Sequence, residues 1–292
     1  MRMGIISEER DWVTDELKSK MEKNDIDPVI IQPSKIISYI ESEVKFEQNN
    51  RSILDLKCAF VRNIGEGVEM FHRFDMLKYL ENYVPVINPM DGIENAGNKF
   101  RTSFLMEVHK IPHPKTIVAE DVNKALIAAD KFEDVVLKPL FGNQGKGLVR
   151  VKGRSTVAKL KALNTFKSTH GVIYMQEFVN NPNNVYRDIR AFAVGDKVIS
   201  AMYRTSDNWI TNIHQNGVPE KCEITEELSK IVLAAKDAVG LVYAGVDILE
   251  SSDGLKVIEV NACPSWEGLS RISDVDIAQN LIDEALNYAK GY

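Results

Sequence analysis

Cysteine is scarce and scattered. The 292 residues hold three, Cys58, Cys222 and Cys263, with no C-x-x-C pair. That pattern excludes a disulfide scaffold and a zinc ribbon, and it suits a reducing compartment. Basic charge is not in excess: 36 Lys and Arg against 42 Asp and Glu leave a net charge of −6. This argues against a general nucleic-acid binder, since phosphate affinity needs a basic surface, but it permits a small anion in a local basic pocket. No run of about 18 apolar residues occurs. The N-terminal stretch turns acidic at Glu8 without an apolar segment of signal length. There is no internal repeat and no low-complexity tract. The expectation is a soluble cytoplasmic protein with no membrane and no nucleic-acid partner. With 44% hydrophobic residues, the composition is that of an ordinary globular chain, at a length for about two domains or three small ones.

Short apolar runs at Gly4–Ile6, Pro28–Ile31, Cys58–Val61 and Pro85–Asn88 are separated by stretches of helical spacing. Such alternation predicts an α/β domain with a doubly wound parallel sheet, assigned to 1–97. A smaller α+β unit is expected over 98–184. Its elements are helices at Lys99–Val108, Val122–Phe132 and Thr156–Leu163, and strands at Val135–Pro139, Gly147–Val151 and Val172–Gln176. The cluster Asn180–Asn184 makes a natural joint. A second α+β unit, 185–292, opens with the hairpin Asp188–Val194 and Lys197–Arg204. A helix over Thr225–Val239, a hairpin of Ala244–Glu250 with Leu255–Asn261, and a closing helix over Val275–Ala289 follow.

The second hairpin carries Asp247, Glu259 and Asn261. A three-residue loop, Ser252–Gly254, pairs Ser251 with Leu255 and sets Asp247 directly opposite Glu259 on one face, with Asn261 beside them. Val246, Ile248, Ile258 and Val260 then point toward a core. Facing carboxylates repel unless a cation compensates. Hard oxygen donors without His or Cys favour Mg²⁺ or Mn²⁺. A solvated sheet face is the plainer alternative.

Lys138 ends a strand and is followed by Gly142-Asn143-Gln144-Gly145-Lys146-Gly147. The pattern G-x-x-G-x-G is neither the dinucleotide fingerprint nor a Walker loop, but a flap between two strands could close over phosphates with its backbone N–H groups. Lys138 could meet a phosphate oxygen as a point charge. Gln176-Glu177-Phe178-Val179 could present backbone groups to an adenine edge, with Phe178 against the ring. Hairpin pairing about Gly195-Asp196 sets Arg190 opposite Arg204 and Asp188 opposite Ser206. Arginines so placed could clamp carboxylates or a transferring phosphoryl group; surface ion pairs are the alternative.

Taken in order, these segments resemble the ATP-grasp superfamily, in particular its glutamate-adding RimK-type branch. The shared features are a K-x-x-x-G-x-x-G-x-G flap, an aromatic after Q-E, a D-I-R strand, an N-x-H segment (Asn212, His214), a G-V-D-I-L strand, and E-V-N-x-x-P-x-x-E-G at Glu259–Gly268. The match is close from 98 onward. Ile210 departs from the bacterial ribosomal-protein enzymes, which carry Arg there. Within the branch, Phe60–Gly67, His72–Glu81 and Val84–Lys99 resemble ligases acting on tetrahydromethanopterin, the pterin coenzyme of methanogens.

The resemblance implies an ATP-grasp fold and ATP-dependent addition of L-glutamate, through an acyl phosphate, to a carboxylate acceptor. A pterin side chain is the acceptor it points to; a deazaflavin polyglutamate tail or a protein C-terminus are alternatives, and a non-catalytic ATP sensor is the alternative of another class. It further implies that Lys99, Lys138, Gly142, Asn143, Gln144, Gly145, Gln176, Glu177, Phe178, Val179, Asp188 and Asn212 bind ATP. Asp247, Glu259 and Asn261 would hold two Mg²⁺ or Mn²⁺ ions. Arg190, Arg204 and Asn261 would serve the chemistry, His214 a polar wall, and Cys263 packing. A homodimer or higher oligomer is implied as well.

Overall fold

Four short segments rich in Ile and Val build the first sheet of the computed structural model, which describes residues 1–142, 146–153, 155–211 and 217–292. Strand β1 (Arg2–Ser7) leads to helix α1 (Trp12–Lys23), β2 (Asp27–Ile31), and then β3 (Ile37–Ile40), β4 (Val44–Gln48) and β5 (Arg51–Ser52). These are followed by β6 (Ala59–Asn63), α2 (Glu69–Leu80) and β7 (Val86–Ile87). The parallel sheet runs β2-β1-β6-β7. Alternation along β1 splits its side chains. Met3 and Ile5 join Val13, Leu17 and Met21 of α1, and Ile6 joins Met76, Leu77 and Leu80 of α2. Helices on both faces make the sheet doubly wound. The small antiparallel sheet β3-β4-β5 was not foreseen: its strands are short and largely exposed, so they carry little hydrophobic signal.

Helices α3 (Met90–Gly97) and α4 (Lys99–Val108) follow. Asn98 starts α4, its side chain accepting from Phe100 N and Arg101 N. The next sheet contains β8 (Thr116–Ala119), β9 (Asp134–Leu137), β10 (Val149–Lys152) and β11 (Ile173–Glu177) in the antiparallel order β10-β9-β11-β8. Helices α5 (Val122–Ala129) and α6 (Thr156–His170) pack on it.

The last sheet is antiparallel. It is formed by β12 (Tyr186–Val194), β13 (Lys197–Ser206), β14 (Val218–Lys221), β15 (Tyr243–Ser251) and β16 (Gly254–Asn261), in the order β14-β13-β12-β15-β16. Helix α7 (Glu226–Val239) covers one face with Leu228, Val232, Ala235 and Val239. Thr225 caps it, Glu226 and Glu227 suit its positive end, and Gly240 closes it at φ 81°. Helix α4 lies against α7 and β16. A short α8 (Glu267–Ser270) and α9 (Ile277–Tyr288) end the chain. Helix α9, Trp266, Phe192 and Tyr243 share one cluster with Met3, Ile5 and Phe60, so the first and last sheets have a common core. No helix among the described residues is long and apolar enough to cross a membrane.

Two registers differ from expectation. The β15–β16 turn has two residues, since Ser251 pairs with Gly254, and this alone would offset the carboxylates. A β-bulge between Asp247 and Ile248 restores the pairing Asp247↔Glu259. The same bulge turns Val257 into the core and leaves Ile258 on the cavity wall, where Ile258 had been expected to face the core. On β12–β13, Arg204 stands opposite Asp188, and Arg190 opposite Met202. A two-residue turn and a bulge beyond Phe192 shift the register from the one that paired the two arginines.

Candidate active site

A cavity of about 320 Å³ opens between the β9-β10-β11 wall and the β12-β13-β15-β16 wall. Lys99, Lys138, Gly142, Gln176, Glu177, Phe178, Val179, Asp188, Arg204, Asp247 and Glu259 all line it. Arg190 and Asn261 do not line it; Arg190 reaches it through Asp247. Asn143, Gln144, Gly145, Asn212 and His214 lie outside the described residues.

Lys138 follows β9 and is fixed by a chain of polar side chains. Its Nζ donates to Gln176 Oε1 at 2.6 Å. Gln176 Nε2 donates to Tyr174 Oη at 2.9 Å and to Thr116 Oγ1 at 3.1 Å. Tyr174 Oη meets Ser103 Oγ of α4 at 2.6 Å. Burial, with Lys99 nearby, brings the Lys138 ammonium down to about 8, although Glu259 and Asp247 pull the other way. Gln176 is only 2% exposed, and its side chain is committed to Lys138, Tyr174 and Thr116.

Lys99, at the start of α4, donates from Nζ to Gly142 O at 2.8 Å and stands 3.5 Å from Glu259 Oε1. Its backbone N–H donates to Leu140 O at 3.2 Å. One cation thus joins the base of the glycine-rich loop to the acidic strand.

The far wall is a line of alternating charges. Asp188 accepts from Arg204 Nε and Nη2, both at 2.6 Å, and from Thr211 Oγ1 at 2.6 Å. Asp247 accepts from Arg190 Nε, from Arg190 Nη2 at 2.8 Å and from Arg204 Nη2 at 3.0 Å. Burial pushes the Asp247 carboxyl up, but Arg190 and Arg204 outweigh it and hold the group below its ordinary value. Protein cations therefore balance the Asp247–Glu259 pair: two arginines on one carboxylate, Lys99 on the other. The compensation expected from a divalent ion is thus supplied in this structure by protein side chains. Asp188, expected to touch nucleotide, has its carboxylate committed to Arg204 and Thr211.

Among the described residues no group of three or more His, Cys, Asp and Glu is placed to hold a metal. The donors that fit are hard oxygens on one strand. The Glu259 side chain is 27% exposed, and Asn261, two residues on, donates from Nδ2 to Gly245 O at 3.3 Å, leaving Oδ1 as an acceptor. Such a set suits Mg²⁺ or Mn²⁺ that takes its remaining ligands from phosphate and water. Asp247 adds the carboxylate behind them.

At the hinge after β11, Glu177 accepts from Lys115 N and from Lys256 Nζ, each at 3.1 Å. Phe178 does not offer a bare ring: the Arg150 guanidinium lies over it at 3.3 Å, and Trp209 meets it edge-on at 6.2 Å. Arg150 is held by Asp134 through Nη2 at 2.6 Å. Arg150, Trp209, Leu249 and Ile258 line the cavity and were missed from sequence. Arg150 had a legible signal, its alternation with Val149, Val151 and Lys152; Ile258 had none, because the bulge that turns it leaves no mark in the sequence. Cys263 is packed as expected. Its Sγ lies 3.2 Å from Val61 O, and burial pushes the thiol up.

Two antiparallel sheets closing on a cation-lined cavity, beside a parallel-sheet domain, define an ATP-grasp fold. Solved ATP-grasp structures superpose on almost the whole chain. The ligase PsnB complexed with minimal precursor does so with TM-score 0.78 at 17% identity, covering 99% of this chain and 98% of that one. A RimK domain ATP-grasp protein from Sphaerobacter thermophilus gives 0.70 at 17% identity, covering 98% and 100%. The RimK-like ATP-grasp domain model matches residues 96–285, and the chain belongs to that family of ATP-consuming, amide-forming ligases.

Among its relatives, the tetrahydromethanopterin:alpha-L-glutamate ligase of Methanococcus maripaludis is 99% identical over 292 residues, the whole of both chains. The protein of that name from Methanocaldococcus jannaschii is 50% identical, over 99% of this chain and 100% of its own. The alpha-aminoadipate–LysW ligase LysX of Saccharolobus solfataricus is 32% identical over 211 residues, 70% of this chain and 76% of its own.

Proposed function

We propose that this enzyme adds L-glutamate to the side-chain carboxylate of tetrahydromethanopterin, releasing ADP and phosphate, in the cytoplasm. The observation that carries the choice of acceptor is identity along the full chain with a ligase of that name, first sheet included. The chemistry follows from the cavity. A carboxylate oxygen of the acceptor attacks the γ-phosphorus of ATP, ADP leaves, and an acyl phosphate forms. The glutamate amine then attacks the acyl carbon, the C–O bond to phosphate breaks, and the amine loses a proton as the amide forms.

Phosphoryl transfer asks mainly for positioning and charge neutralisation. Lys138 and Lys99 would hold the phosphates, with Gly142-Asn143-Gln144-Gly145 over them. Glu177, Phe178 and Val179 would flank the adenine, with Leu249 and Ile258 as its apolar wall, and Asn212 would bind the nucleotide. Arg204 and Arg190 would stabilise the transferring group, with Asp188 aligning Arg204. Glu259, Asn261 and Asp247 would hold Mg²⁺ or Mn²⁺, two ions in the full site. Metal bound there would supply charge neutralisation for the transferring phosphoryl group. The division 1–97, 98–184 and 185–292 is proposed as one acceptor-side unit and two ATP-clasping units, and the working form as a homo-oligomer.

The test is a panel of acceptors (pterin, deazaflavin, peptide), each given with ATP and glutamate while ADP release is followed. ADP release that requires both glutamate and the pterin supports the assignment. Release with another acceptor alone refutes the pterin assignment, and ATP binding without any acceptor-dependent release refutes the ligase reading.

A further inference from the structure

Arg62, near the end of β6, sits badly for a structural ion. It is 8% exposed. Among the described residues its one hydrogen bond runs from Nη1 to Tyr243 Oη at 3.5 Å, the limit of such a bond. Its Nε is buried with no partner. Asp11, the carboxylate whose field reaches it, is instead occupied as the cap of α1, accepting from Thr14 N at 2.7 Å and Thr14 Oγ1 at 2.6 Å. A guanidinium stays charged at any physiological pH, so it cannot escape burial by losing a proton. A buried charge of this kind calls for an anion, and the planar fork suits a carboxylate taken through two N–H groups.

Its position points the same way. The β1–β6 pairing runs Ile6↔Val61 and then Ser7↔Asn63, so Arg62 is the residue skipped by a register shift; shifts of this kind re-aim side chains beside active sites. Strand β1 has β2 on one side and β6 on the other, so the order in which the parallel strands are laid down reverses there. In open parallel sheets the crevice beyond the strand ends at such a point is where ligands sit. The guanidinium lies 5.7 Å from the centre of the Trp266 ring, and Cys263 Sγ touches Val61 O. The chain that follows Glu259 and Asn261 therefore runs from the cavity to β6, where Cys263 meets the residue before Arg62. Arg62 does not line the cavity that holds Lys99, Lys138 and Glu259, so a carboxylate at Arg62 is not the one being phosphorylated.

We propose that Arg62 is an anion subsite gripping a carboxylate that takes no part in bond making, carried by one of the two carboxylate substrates. This rests on the ligase reading above. L-Glutamate and the acceptor are the two sources of that group.

The test uses the full-length enzyme with R62M and R62K, measuring KM for glutamate, acceptor and ATP together with Tm. R62M should raise one carboxylate substrate's KM about 10- to 100-fold and leave the ATP KM within about twofold of wild type. Its Tm should not fall, because an apolar isostere replaces an unpaired buried cation. R62K, which keeps the charge, should recover part of the loss and carries the same readout if R62M does not fold. A rise for glutamate, with reduced discrimination of glutamate from glutamine, assigns the group to glutamate; a rise for the acceptor assigns it there. Unchanged KM values, or all three rising with a lowered Tm, overturn the subsite. Wild-type enzyme that forms no amide with any acceptor defeats the ligase reading instead. Calorimetric titration of glutamate and acceptor into wild type and R62M then still decides the subsite, since it needs no turnover.

Discussion

Lys138 shows how neighbours set what one side chain can do. Its ammonium sits near 8 because burial and Lys99 outweigh Glu259 and Asp247. In the unfolded chain a lysine titrates near 10.4. Between those values the folded state holds fewer protons, so this group makes stability rise as pH climbs from about 8 to 10.5. Nucleotide binding should run the opposite way, since triphosphate prefers the charged form. ATP affinity, measured by calorimetry, should fall by up to about tenfold between pH 7 and 9.5. K138A should bind ATP more weakly by about tenfold or more and lose that part of the pH dependence; equal affinity at both pH values in wild type contradicts the assignment. Of the two carboxylates lining the cavity, Glu259 is the more exposed, its side chain at 27% against 2% for Asp247, which makes it the one best placed for a metal. E259Q should lose at least about 10²-fold in turnover while its far-ultraviolet circular dichroism and Tm stay close to wild type.

The β15–β16 hairpin shows what a sequence can and cannot reveal at the scale of an element. Asp247 opposite Glu259 was legible from alternation and a Ser-Ser-Asp-Gly turn. The route to it was not: the loop is one residue shorter than assumed, and a bulge makes up the difference. Bulges have no composition of their own, so the placing of Ile258 and the Arg204–Asp188 pairing were hidden in the same way. Helices with caps, such as α4 and α7, were legible because their start and stop residues have direct physical roles. The arginine balance around Asp247 was not, because it depends on register across three strands. Gly254 tightens the turn at φ 104°, where a Cβ is strained. G254A should lower stability by about 1–2 kcal/mol in denaturant melts and shift the ATP KM by less than about twofold. A variant lacking Ile258, the extra residue of the bulge, should keep Glu259 opposite Asp247 in a regular ladder; it should lose the apolar wall, raising the ATP KM, while turnover persists and the protein still folds.

Across the whole molecule, Asn88 ties the first sheet's domain to the last sheet. Fully buried after β7, it donates to Tyr243 O at 2.9 Å and to Ala262 O at 2.6 Å, and it accepts from Val242 N at 2.8 Å and Tyr243 N at 2.9 Å. These bonds fix where β15 begins and β16 ends, and so where Asn261 and Glu259 stand relative to the first sheet. N88A should lower stability by about 2–4 kcal/mol and reduce kcat more than ATP affinity; unchanged Tm and kcat would contradict that linkage. The α/β-then-α+β organisation was readable from alternating strands and helices, whereas the sharing of one core by the first and last sheets was not, because Phe60, Phe192 and Trp266 lie far apart in the chain. The central claim, that this molecule activates an acceptor carboxylate by phosphorylating it beside Glu259, is tested most directly by isotope transfer. With acceptor labelled by oxygen-18 in its side-chain carboxylate, the phosphate released during glutamate addition should carry one labelled oxygen per amide formed. Amide formation with unlabelled phosphate would contradict the account.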